Sequence, residues 1–108
     1  MGPPSGGPAE KEDIMSTFVF IYRAPKNYTP SGDAIAQWSA WFESMGDSVV
    51  DRGNRVLDTN ALGRGAPDTV LGGYSLVRAD DLDAAVALAK GCPILERSGG
   101  VEVGELTP

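Results

Sequence analysis

No histidine occurs among the 108 residues. That absence removes the commonest general base, the commonest metal ligand and the side chain that switches charge near neutral pH. Any chemistry must rest on carboxylates, phenols, arginines or the single thiol, Cys92. A thiolate at Cys92, just past a helix-forming run, would meet the negative end of the helix dipole with no imidazole to activate it, so a packed small residue is the expected role. Asp51, Glu43, Glu102 and Glu105 are the carboxylates that could pair for acid–base work, because a carboxyl buried among aromatics has a raised pKa suited to proton transfer. Spacing alone does not bring them together, and each is by default a solvated side chain. Asp51, between Val50 and Arg52 in a short strand-like segment, is the strongest candidate base. Asp80, Asp81 and Asp83 imitate an acidic metal cluster, but helix capping accounts for them and no metal site is expected. Gly63-Arg64-Gly65-Ala66-Pro67 has glycines but no Lys-Ser/Thr and no following helix, and reads as a loop rather than a phosphate cradle.

Tyr22, Arg23, Trp38, Trp41 and Tyr74 form the set that points toward binding. Core packing is the competing use of the same residues. If they bound a cleft, its ligand would be small and partly aromatic, held by Trp38 and Trp41 and oriented through a carboxylate or carbonyl by Arg23 or Tyr74. A catalytic version would use Asp51 as base, with Tyr22, Tyr74 and Arg23 stabilising developing charge. Neither version implies a cofactor.

These side chains need elements to carry them. Residues 1–14 are rich in Gly, Pro and charge and read as a flexible extension, with the domain proper spanning 15–108. Thr17 to Arg23 is an aromatic and β-branched run without strict alternation, which predicts a central strand covered on both faces. Thr29-Pro30 predicts an N-cap and first helical residue, followed by an apolar stripe of Ile35, Trp38, Trp41, Phe42 and Met45 and a stop at Gly46. Ser48 to Asn54 predicts a second strand that Arg55 to Asp58 extends or follows as a separate edge segment, and 59–68 a loop. Thr69 to Arg78 predicts a third strand whose glycine pair, Gly72-Gly73, marks a bulge or a close backbone approach. Asp80 or Asp81 caps a second helix with Leu82, Ala85, Val86 and Ala89 on its inner face, Gly91 as a left-handed stop and Pro93 beyond it. Val101 to Leu106 alternates as a fourth strand.

The totals agree with one compact domain, since 42% of the residues are apolar and 22% charged over 108 residues. A formal charge of −6 without a basic cluster argues against nucleic acid and anionic membranes as partners. One cysteine, no secretory pattern and no apolar run of roughly twenty residues lead to the expectation of a cytoplasmic protein. The order strand, helix, strand, strand, helix, strand is the split βαβ arrangement of ferredoxin-like α+β domains, a four-stranded antiparallel sheet with both helices on one face. The first strand is apolar on its other face too, through Val19 and Ile21, and no third helix remains to cover it. A homodimer with two sheets face to face, a dimeric α/β barrel, is therefore expected.

Tyr22-Arg23, Trp41-Phe42-Glu43, Gly72-Gly73-Tyr74-Ser75, the run Ala79 to Pro93 and the tail Gly99-Gly100-Val101-Glu102-Val103 together resemble the YCII-related proteins, specifically the DGPF-domain branch. The resemblance spans roughly residues 17 to 106. It implies the same ferredoxin-like dimeric barrel. In function it implies a domain of mostly unassigned activity: a His–Asp dyad has been proposed as catalytic in some YCII proteins, and DGPF members are often encoded near extracytoplasmic-function sigma factors. The dyad cannot be assembled here, because the family's first-helix histidine falls near Ile35 and the position after Gly-Cys-Pro is Ile94. Three readings follow: a dimeric domain binding a small molecule or protein partner; a histidine-free lyase, isomerase or cofactor-independent oxygenase; and a regulatory interaction protein linked to a sigma-factor system.

Overall fold

The computed structural model describes residues 15–65 and 68–108. The extension read into residues 1–14 lies outside them, as do Ala66 and Pro67 of the glycine-rich loop. Six main elements follow in order: β1 (Ser16–Pro25), α1 (Gly32–Met45), β2 (Val49–Asp51), β3 (Thr69–Ala79), α2 (Leu82–Ala89) and β4 (Gly100–Glu105). Single 3-10 turns, Gly46–Ser48 and Pro93–Arg97, sit after the two helices. The strands form one antiparallel sheet in the order β2-β3-β1-β4, an α+β fold with β1 and β3 at the centre.

Alternation along β1 sends Phe18, Phe20, Tyr22 and Ala24 to one face, where they join Trp41 and Met45 of α1, Ala85 and Ala89 of α2, and Cys92 and Ile94 in a single core. Both helices therefore pack on that face. Alanines on the inner side of α2 let its backbone approach the sheet closely, while α1 contributes bulk: the Trp41 ring stacks 6.1 Å from Phe20 and meets Phe42 at 5.1 Å. The other face carries Val19 and Ile21 of β1 and Leu76 of β3, all half-buried, with Arg78 and Glu102 exposed beside them. Within one chain the central strand is thus fully buried on one face only.

Several local expectations need correction. Helix α1 is capped not at Thr29-Pro30 but by Ser31, whose Oγ accepts from the Ala34 N–H at 3.2 Å. Ile35 is 58% exposed, because the inward position of that turn belongs to Ala34. Leu82 is likewise half exposed, at the start of α2, where Asp81 Oδ1 caps the Ala84 N–H at 2.8 Å. Gly91 is not a left-handed stop: α2 ends at Ala89 with Lys90 still in the right-handed region. A side chain at position 91 would meet the Trp41 indole, with a Cβ only 3.1 Å away, and that same indole N–H donates to the Leu88 carbonyl at 3.1 Å. Close approach of a ring, not backbone conformation, explains this glycine. Gly46 does adopt positive φ, at 55°, as a helix stop requires.

Strand β2 is shorter than the expected 48–54, and the chain leaves it at Asp51 as a strap over residues 52–59. Arg55 makes an isolated bridge to Gly73, and the Val56 N–H donates to the Gly72 carbonyl at 2.9 Å. The glycine pair serves both of its anticipated uses. The register of β1 against β3 shifts between Tyr22↔Gly73 and Arg23↔Leu71, leaving Gly72 as the extra residue of a bulge. A Cβ on Gly73 would lie 2.9 Å from the Asn54 carbonyl oxygen, so only glycine admits the strap there.

Candidate functional site

Between α1, the strap and the end of the sheet where β1 stops and β3 starts lies a cleft of about 500 Å³. Its volume falls within the range of roughly 300–1,000 Å³ usual for small-molecule sites. The walls are set by the elements just described. Helix α1 supplies Ile35, Trp38 and Phe42; β1 and its following turn supply Tyr22 and Tyr28; β3 supplies Val70 and Tyr74; the strap supplies Arg52 and Arg55. Five aromatic residues line one concavity. The exposure of Ile35 now has a structural setting, since it opens onto the cleft rather than the core.

The rings are fixed against one another. Trp38 meets Tyr22 edge-on at 4.7 Å, Trp41 at 5.7 Å and Phe42 at 6.0 Å, so the cleft wall is continuous with the core packing behind it. Tyr22 is further held by a buried relay. Its hydroxyl donates to Ser75 Oγ at 2.7 Å, and Ser75 donates in turn to the Arg52 carbonyl at 2.6 Å. The direction is forced, because the carbonyl can only accept and Ser75 has a single proton to give. Burial holds the Tyr22 phenol well above its ordinary value, outweighing the lowering effect of the Ser75 hydrogen bond, and keeps the hydroxyl protonated. The Tyr28 hydroxyl is buried without a hydrogen-bond partner among the described residues.

The candidates named from sequence separate into two groups. Tyr22 and Trp38 come together on the cleft, and Tyr74 borders it from the β3 side, opposite Ile21. Trp41 does not line it; it is buried in the core with its indole N–H on Leu88. Arg23 sits on the opposite sheet face, where its guanidinium donates to the Thr69 side chain and carbonyl, both at 3.1 Å. Alternation along β1 is the reason, since Arg23 follows the inward Tyr22 and falls with Val19 and Ile21 on the face turned away from the helices. Asp51 is exposed and outside the cleft, its Oδ1 accepting from the Gly53 N–H at 2.8 Å in a local turn. Glu43, Glu102 and Glu105 are exposed and do not join it. Cys92 is buried, with its thiol pushed up to about 11 by burial, against a smaller opposing effect of the hydrogen bond from the Ile94 backbone. Burial, more than the helix dipole, makes it unreactive.

Arg52, Arg55 and Tyr28 were not foreseen as lining residues. Arg52 and Arg55 reach the cleft only because the strap docks on β3, a long-range event for which the glycine pair is the one visible sign. No helix among the described residues is long and apolar enough to cross a membrane.

No protein-family model matches the chain, and no curated protein matches it. Among solved structures it is similar to "De novo designed protein Foldit4", with a TM-score of 0.48 and 15% identity over 87% of this chain and 98% of that one.

Proposed function

We propose that the chain is a YCII-related domain of the DGPF type, ferredoxin-like in fold and homodimeric through its open sheet face, whose cleft binds a small, partly aromatic molecule. The observation that carries the binding reading is the cleft itself: Tyr22, Tyr28, Trp38 and Phe42 converge on about 500 Å³ of space instead of filling it, with Tyr74 at its border. Aromatic side chains normally bury roughly 150–250 Å² each, so these rings around an open concavity leave apolar area that a ligand can cover.

Support for the fold and dimer comes from the strand order β2-β3-β1-β4 with helices following β1 and β3, and from the second face of β1. That face has an apolar middle, Val19, Ile21 and Leu76, between Arg78 on one side and Glu102 on the other, charges of opposite sign that a second copy could pair. The binding reading is preferred to an enzymatic one because no carboxylate among the described residues lines the cleft and the strongest candidate base, Asp51, is turned into its own loop.

Ligand-observed NMR with a mixture of one- and two-ring aromatic compounds tests the binding reading. Hits should compete for one site and quench the fluorescence of Trp38, so that Trp38→Phe removes the response and Trp41→Phe keeps it. Absence of any competing hit would sink the reading.

A further inference from the structure

The strap brings two positive charges to a concavity that is otherwise aromatic, aliphatic or uncharged. Arg52 and Arg55 both line the cleft, and among the described residues no Asp, Glu or Lys does. In a chain of net charge −6 this is a local reversal of sign.

Neither arginine hangs from a loose backbone. The Arg52 carbonyl accepts from the buried Ser75 hydroxyl, and its guanidinium lies 5.2 Å from the centroid of the Phe42 ring, itself part of the cleft wall. Arg55 is bridged to Gly73, with the next residue bonded to Gly72. Of the other guanidiniums among the described residues, Arg23 is engaged on Thr69 and Arg97 on Gln37, while Arg64 and Arg78 lie outside the cleft. Among the described residues no side-chain hydrogen bond engages the guanidiniums of Arg52 or Arg55. Both residues are exposed at the border of the cleft, and their fixed backbones lower the ordering cost of binding an anion there.

We infer that the ligand is an aromatic carboxylate, its ring against Trp38 and Phe42 and its carboxylate on Arg52 and Arg55. A guanidinium presents a planar fork of donors that matches a carboxylate, and one that already stacks on an aromatic wall adds little desolvation cost when a flat anion enters. This rests on the small-molecule reading of the same cleft and narrows it to a charge class. It also transfers the orienting role from Arg23 to the strap.

Matched pairs of acid and neutral amide make the test: indole-3-acetate against indole-3-acetamide, and 1-naphthoate against 1-naphthamide, titrated by ligand-observed NMR and Trp38 fluorescence. Each acid should bind at least about tenfold more tightly than its amide, and the double variant Arg52→Gln/Arg55→Gln should bring the two to parity by weakening the acid far more than the amide. An unchanged circular dichroism spectrum and urea midpoint report that the variant is folded. Equal affinity of acid and amide for the natural protein would overturn the charge assignment while leaving the binding reading standing. So would an advantage of the acid that survives in the double variant. Failure of all four compounds to bind would overturn both.

Discussion

Ser75 does more than its size suggests. It is a polar residue fully buried in the core and satisfies two groups at once, the Tyr22 hydroxyl and the Arg52 carbonyl. Ser75→Ala orphans both, whereas Tyr22→Phe removes a donor and leaves Ser75 still bonded to Arg52. Urea denaturation should therefore find Ser75→Ala destabilised by about 1–3 kcal/mol and Tyr22→Phe by only about 0.5–1.5 kcal/mol; the reverse order would disprove the relay. Cys92 yields a prediction in pH. Its thiol rises from an ordinary 9.0 to about 11 in the fold, so above pH 9 the unfolded chain loses a proton that the folded chain keeps. Stability is then fully present below pH 9 and declines as pH climbs toward 11, and the raised Tyr22 phenol acts in the same direction at still higher pH. Urea midpoints measured from pH 8 to 10.5 should fall, and Cys92→Ala should flatten the onset near pH 9.

At the scale of the element, the strap is held where β3 can receive it. Gly53 has φ of 76°, and a Cβ there would run into the Tyr74 carbonyl. Gly53→Ala must lift the strap from β3, at a cost of about 1–3 kcal/mol, and hydrogen exchange should show the Val56 amide losing protection while Phe20 keeps its own. If Val56 stays protected, the strap is not pinned as described. The elements also show what sequence can and cannot convey. Aromatic and β-branched runs, alternation in Val101 to Leu106 and helical spacing located all four strands and both helices, and the order of the elements anticipated the sheet. Capping moved from Thr29-Pro30 to Ser31 because the hydroxyl that fits is chosen by the path of the incoming loop. Gly91 was misread because a tryptophan fifty residues earlier in the chain occupies its Cβ position. In the cleft, Tyr22, Trp38 and Tyr74 were legible as aromatics near one sheet end. Arg52 and Arg55 were not, since no local pattern reports that a segment after a three-residue strand returns to a distant glycine pair.

For the whole molecule, the unequal treatment of the two sheet faces is decisive. One is closed by helices, and the other presents Val19, Ile21 and Leu76 half-buried in the single chain. Sedimentation at micromolar concentration should give a dimer, and Ile21→Lys should give a monomer with an unchanged circular dichroism spectrum; natural protein that sediments only as a monomer would refute the pairing. The sheet has a further exposed border, at its edge. Strand β3 runs eleven residues, Thr-Val-Leu-Gly-Gly-Tyr-Ser-Leu-Val-Arg-Ala, while β2 pairs with it only around Leu76 and Val77. Were the strap absent, the remaining backbone donors and acceptors of an apolar, β-prone segment would stand open to any other chain, the arrangement from which intermolecular sheets and fibrils grow. By occupying Gly72 and Gly73, the strap that furnishes the cleft also acts as a gatekeeper against aggregation, so mutations that loosen it should first be noticed as loss of solubility.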